Sequence, residues 1–168
     1  MSMMGETYVE CLIKRRTPAG LRFLKLLTGM LGAAFILLGL TVRIEALVIG
    51  LLLLVAAYYI SINSDLEYEY LYLDKEVTVD KVVAKMKRKR VALYQLESME
   101  IFAPVQSHRL DGYRNRKVTT LDYSSGILMQ PDRRYAMYCE GGIRVILEPS
   151  PEMVKAMKSA APRKVFTD

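Results

Sequence analysis

The densest group of like charges in the chain is Lys85-Met-Lys-Arg-Lys-Arg90, five cations in six positions. A cluster of this kind beside a membrane attracts acidic headgroups, at about 1 kcal/mol per basic residue. Lys85, Lys87, Arg88, Lys89 and Arg90 are therefore the candidate contacts for anionic lipid or for a partner. The acids around them, Asp65, Glu67, Glu69, Asp74, Glu76 and Asp80, offer the alternative of cross-strand charge pairs on a solvated face. Nucleic acid ranks behind both and is not expected, because no aromatic residue interleaves the cations and the net charge is only +6.

The other reactive residue types lack the spacing that chemistry needs. His108 is the single histidine and has no second nitrogen or thiolate at metal-ligand spacing. Cys11 and Cys139 stand far apart on segments expected to face the reducing cytoplasm, so no disulfide is implied. Asp111, Asp122 and Asp132 do not form a carboxylate pair, and Ser124-Ser125-Gly126 lacks the preceding glycine of a nucleophile elbow. No glycine-rich loop is present to cradle phosphate. The expectation is a protein that is not an enzyme, with no cofactor and no metal.

The elements that position the basic run begin with the most apolar stretch. Leu26 to Val42 and Ala46 to Ser64 are each long enough to cross ~30 Å of hydrocarbon as a helix, and Arg43 and Glu45 separate them. The spacing predicts a transmembrane hairpin over residues 18–64 with its turn at 43–45. Lys14, Arg15, Arg16, Arg22 and Lys25 precede the first span, and Lys75, Lys81, Lys85 and Lys87 to Arg90 follow the second. By the excess of Lys and Arg, both termini are expected on the cytoplasmic side of a multi-pass membrane protein. A cleaved signal peptide is a poor alternative, since a second apolar span follows at once. Gly32, Ala33 and Gly39 are expected opposite Ala56, Ala57 and the Ala46 to Gly50 segment, where small residues let helices approach, either within the hairpin or with a second copy.

Residues 1–17 read as a basic cytoplasmic leader, either a short interfacial helix with Tyr8, Cys11 and Leu12 on one face or a solvated coil. Thr17-Pro18 has the form of an N-cap followed by a first-turn proline. Residues 65–168 carry strand texture and are expected to fold as a unit without the hairpin. Leu66 to Leu73 alternates Tyr68, Tyr70 and Tyr72 with acids; Glu76 to Ala84, Arg88 to Tyr94, Ser98 to Ala103, Val118 to Tyr123, Arg133 to Cys139 and Ile143 to Glu148 complete seven strands. Pro104 to Arg116 reads as a loop, and Glu140-Gly141-Gly142 as a tight hairpin turn. The tyrosines are read as core or rim, with a tyrosine-lined peptide groove as the alternative. Ser150-Pro151-Glu152 opens a helix over 151–161, with Met153, Val154 and Met157 on its apolar side and Glu152, Lys155, Lys158 and Ser159 on the other.

Seven antiparallel strands closed by one helix give an α+β chain whose element order resembles pleckstrin-homology-like (PH-like) domains. More narrowly, Tyr8-Val-Glu-Cys-Leu-Ile-Lys-Arg-Arg-Thr-Pro18, Asp65-Leu-Glu-Tyr-Glu-Tyr70, Val79-Asp-Lys81, the basic run, Asp122-Tyr-Ser-Ser-Gly126 and Glu148-Pro149 together resemble a family of uncharacterised bacterial two-span membrane proteins with a C-terminal PH-like domain. The resemblance implies an architecture: a helical hairpin followed by a PH-like β barrel with a C-terminal helix. One departure is Asp74-Lys75, standing where an Asn-Gly turn is expected. The function expected is a membrane-anchored interaction or scaffold module, with anionic-lipid sensing through 85–90 as the alternative and an enzyme with an unfamiliar site last. Its partners are expected to be the bilayer itself and either an unknown protein or a second copy of the chain.

Overall fold

In a computed structural model, which describes residues 8–130 and 133–168, the chain alternates eight strands with helices. The first sheet holds β1 (Val9–Lys14), β2 (Leu66–Leu73), β3 (Glu76–Val83) and β4 (Lys87–Gln95) in sequence order. The second holds β5 (Met99–Pro104), β6 (Thr119–Asp122), β7 (Tyr135–Cys139) and β8 (Ile143–Leu147) in the order β5-β7-β8-β6. Helices α1 (Ala19–Thr41) and α2 (Glu45–Ser64) lie between β1 and β2; a 3-10 turn (His108–Leu110) and α3 (Asp111–Arg114) follow β5; α4 (Pro151–Ala160) follows β8. One unit comprises residues 8–15, 67–82 and 88–168, with both sheets and α4; the other comprises 16–66 and 83–87, with the two long helices.

Residues 1–7 of the leader lie outside the described residues; its remainder forms the strand Val9–Lys14, which corrects both the helical and the coil expectation there. Val9, Cys11 and Ile13 alternate with exposed Glu10, Leu12 and Lys14, and they stand opposite Tyr72, Tyr70 and Tyr68 of β2 in antiparallel register. A lone turn of helix is unfavourable to nucleate, whereas β2 supplies a ready partner for six alternating residues. The expected division into 1–17, 18–64 and 65–168 is corrected with it. The sheet unit takes residues from both sides of the long helices, which are an insertion between two hydrogen-bonded strands.

Within the helical unit α1 begins at Ala19, one residue after the expected Pro18, so the turn holding Arg22 and Lys25 precedes the apolar stretch in one helix. Pro18 takes the N-cap position, and the Thr17 hydroxyl, expected to cap α1, donates instead to the Ser64 carbonyl at 3.1 Å, tying the two outer ends of the pair. Both helices are long and apolar enough to cross a membrane, with mean hydropathies of 2.0 and 2.2. Small residues do meet, Gly39 within the expected 46–50 segment and Gly32 in a shifted register. A β-carbon on Gly39 would lie 2.6 Å from the Leu47 backbone nitrogen, and one on Gly50 would lie 3.0 Å from the Gly32 carbonyl oxygen. Gly32 therefore faces Gly50 and Leu54 rather than Ala56 and Ala57.

In the sheet unit Tyr70, Val77, Val79, Phe102, Met137, Val145, Leu147, Met153 and Met157 are the buried core. The Tyr70 hydroxyl donates to the Tyr123 carbonyl at 2.5 Å and the Tyr68 ring meets Tyr123 edge-on at 5.3 Å, joining the first sheet to the β6 end of the second. A second cluster, Ile101, Ala103, Leu110, Ala136, Tyr138 and Ile146, lies on the other face of the second sheet, with Tyr113 and Phe166 packed against it. This corrects the reading of 104–116 as a plain loop: Ser107 caps the 3-10 turn, and buried Leu110 helps cover that face. The C-terminal tail runs beside β5, where Phe102 N–H donates to the Lys164 carbonyl and Phe166 N–H to the Phe102 carbonyl, both at 2.8 Å. β6 pairs with β8 in parallel, a departure from the all-antiparallel expectation, because the 105–118 segment carries the chain back across the sheet before β6. Helix α4 is as expected, with Ser150 accepting from Met153 N–H at 3.2 Å and Met153, Val154 and Met157 buried.

Candidate functional site

The five basic candidates take two different positions. Lys85 and Lys87 belong to the helical unit, where Ala84 N–H donates to the Asp65 carbonyl at 2.8 Å and so fixes the β3–β4 turn at the residue that ends α2. Both lysines are exposed and have no ion pair among the described residues. Arg88 and Arg90 belong to the sheet unit and pair with carboxylates, Arg88 with Glu69 at 2.5 Å and Arg90 with Asp80 at 3.7 Å. Lys89 is exposed. The cross-strand pairing expected as an alternative thus holds for the two arginines only.

Glu69 is 2% exposed and shares a hydrogen bond with Glu10 of the neighbouring strand. Burial first, and then that bond, holds the Glu69 proton above the usual carboxylate range; the same bond, with the Tyr8 hydroxyl donating at 3.1 Å, keeps Glu10 below it.

The remaining candidates are structural. Asp122 accepts from the Ser124 N–H (2.9 Å) and hydroxyl (2.6 Å) and pairs with Arg134 at 3.3 Å. The Glu148 carboxylate accepts from Ser125 N–H at 3.1 Å, so the two motifs Asp122-Tyr-Ser-Ser-Gly126 and Glu148-Pro149 form one lock. Arg15 extends it, donating to the Tyr68 hydroxyl and the Asp122 carbonyl at 2.9 and 3.0 Å. Asp111 pairs with Arg114, His108 is exposed on the 3-10 turn, and Asp132 lies outside the described residues.

A cleft of about 640 Å³ opens among β1, the start of β7 and α4. Its apolar wall is Cys11, Ile13, Tyr135, Pro149, Pro151 and Val154, and Arg133, Lys155 and Lys158 add positive charge. Such a volume falls in the ~300–1,000 Å³ range of small-ligand sites. The Cys11 thiol donates to the Glu148 carbonyl at 3.9 Å and burial raises its pKa; Cys139 lies elsewhere, with burial pushing its thiol up to about 11. Sequence reasoning missed this cleft because its wall needs β1, which had been read as a leader. The two signals that could have found it are the period-two alternation of Cys11 and Ile13 and the Glu148-Pro-Ser-Pro151 entry into α4.

A family model described as bacterial PH-like domain (DUF6106) matches residues 5–167. The chain belongs to this family. The match begins ahead of β1 and spans the long helices, so the bacterial PH-like domain occupies the whole chain rather than a C-terminal part, in keeping with the strand that precedes α1. No curated protein and no solved structure matches the chain.

Proposed function

We propose that this bacterial PH-like protein is a membrane-tethered, non-enzymatic interaction module whose helix pair is embedded in the bilayer with both termini on the cytoplasmic side. The observation that carries the reading is the outer surface of the pair. Leu26, Met30, Leu37, Leu40, Leu51 and Leu52 are each more than 60% exposed, an apolar exterior that water would penalise and lipid would not. Arg22, Phe23 and Lys25 on α1 and the exposed Tyr58 and Tyr59 on α2 gather toward the end away from the Arg43 turn, the arrangement of an aromatic and basic belt at a headgroup layer. Reporter fusions at residues 1 and 168 should both give a cytoplasmic signal, and an external signal from either would overturn the topology. Cross-linking in intact cells, followed by mild solubilisation, should recover a stable assembly; recovery of the bare chain alone would count against an interaction role.

A second reading is favoured by one contact, the Ala84–Asp65 hydrogen bond. It fixes Lys85 and Lys87 at the end of α2, where an anionic leaflet would reach them. Native mass spectrometry of the full chain released from mixed phosphatidylglycerol and phosphatidylcholine bilayers tests it. Retained phosphatidylglycerol should fall on Lys85→Ala/Lys87→Ala and persist on Arg88→Ala; equal retention by all three proteins would remove the idea.

A further inference from the structure

The cleft between β1 and α4 has an uneven chemistry. Four polar side chains in its wall are already engaged inside the protein: the Cys11 thiol by the Glu148 carbonyl, the Glu148 carboxylate by Ser125 N–H, the Ser150 hydroxyl by Met153 N–H, and Thr167 by Lys158 at 3.2 Å. What the wall leaves available is apolar surface: Ile13, Tyr135 stacked on Phe102 with centroids 5.0 Å apart, Pro149, Pro151 and Val154. Around it stand Arg133, Lys155 and Lys158, the first two without an ion-pair partner among the described residues. Glu148, the one acid that lines the cleft among the described residues, is 8% exposed and held by Ser125, and Glu152 acts on Cys11 from nearby.

A hydrocarbon body with a single anionic head fits this division of labour. We propose that the cleft binds a single-chain anionic amphiphile of the fatty-acid class, its acyl chain lying on the Ile13, Tyr135 and Val154 surface and its carboxylate held by Lys155, Lys158 and Arg133. Charge complementarity sets the head, since cations beside a low-polarity cavity attract a carboxylate more strongly than cations in open water. The apolar lining of Ile13, Tyr135, Pro149, Pro151 and Val154 sets the tail. The inference concerns the sheet unit alone and stands independently of how the helices meet the membrane.

Cys11 provides the readout, because it lines the cleft, and buried Cys139, which does not line it, serves as an internal control. The full chain in phosphatidylcholine nanodiscs, which present no net anionic headgroup, is treated with a water-soluble maleimide and the two thiols are followed by mass spectrometry. Dodecanoate should slow Cys11 labelling saturably, while dodecanol at the same concentration should not. Lys155→Glu/Lys158→Glu, two exposed positions, should raise the half-protecting concentration about tenfold or more, as expected for losing charge-assisted contacts. In parallel, the carboxyl resonance of dodecanoate labelled with carbon-13 at C1 should shift on the wild type and stay at its free position on the double variant, a measurement that holds even where Cys11 reacts slowly. Equal protection by dodecanol, or an unshifted carboxyl resonance on the wild type, would overturn the proposal.

Discussion

Among the described residues four that carry side chains sit in the left-handed region: Asp74 and Lys75 in the β2–β3 turn, and Ala84 and Lys85 in the β3–β4 turn, with φ between 47° and 65°. Positive φ at both central positions is what a type I′ turn requires, and the twist of the flanking strands selects that turn. The departure noted at Asp74-Lys75 is therefore one of residue choice and not of turn geometry, and sequence reasoning misjudged it because it weighs the favoured residue rather than the strands that impose the twist. Lysine in this region costs ~1–2 kcal/mol, part of which glycine would give back through its freer unfolded chain, so Lys75→Gly should stabilise the protein by about 0.5–1 kcal/mol. Thermal unfolding in nanodiscs, followed by the near-ultraviolet signal of the tyrosines, checks this; an unchanged or lower midpoint would contradict it. At Glu69 the proton has a stability consequence. Between the ordinary carboxylate value of 4.5 and the raised one, the native state keeps a proton that the unfolded chain has lost, so stability falls as pH rises across that window. Among its neighbours Glu10 and Asp80 raise the value further, and Arg88 opposes them. Glu69→Gln should remove this falling slope, measured as unfolding midpoint against pH. A slope retained in the variant would assign it to another group.

Helix α4 was legible in full, cap and stripe together, because its signals are local: serine, proline and an early acid, then apolar residues three and four apart. Val154→Asp should cost roughly 3 kcal/mol or more, as an unpaired charge in the core, while Lys155→Asp on the exposed side should stay within about 0.5 kcal/mol. Equal unfolding midpoints for the two would mean that α4 is not packed on the sheets. Strands β2 to β8 were legible for the same reason, whereas the register of α1 on α2 was not. Depth counted from the turn fixes which residues share a level to within a turn of helix, and only close contact decides which glycine meets which side chain. Gly39→Val places a β-carbon 2.6 Å from the Leu47 backbone nitrogen and should weaken the helix pair by about 1–3 kcal/mol in SDS-induced unfolding. Gly29→Val, with nothing within 4 Å, should leave it unchanged. A similar loss in both would indicate a helix-propensity effect rather than packing.

At the scale of the whole molecule the decisive feature is the insertion of two long helices between β1 and β2. It was illegible because pairing across a long gap leaves no local mark, and because the basic residues after β1 suggested a leader. The autonomous unit expected from residue 65 onward lacks β1, and with it the partner of β2 and one wall of the cleft. A chain starting at Asn63 should therefore melt broadly. A chain in which Asn-Gly replaces residues 16–65 should unfold cooperatively, since Lys14 already pairs with Glu67 and a two-residue turn closes that register. Cooperative melting of the first or aggregation of the second would reverse this view. The same insertion dictates an order of assembly on the ribosome. β1 is synthesised first, yet the residue that pairs with Lys14 is Glu67, so at ~5–20 residues per second the strand waits roughly 3–10 s for its partner. When Glu67 is added β3 and β4 have still to be made; roughly 1–6 s more bring the chain to Gln95, and the three strands joined by tight turns can then zip together on their own. β1 then closes this sheet last, by returning to an edge that has formed without it, so that the earliest strand of the first sheet is the last to join it.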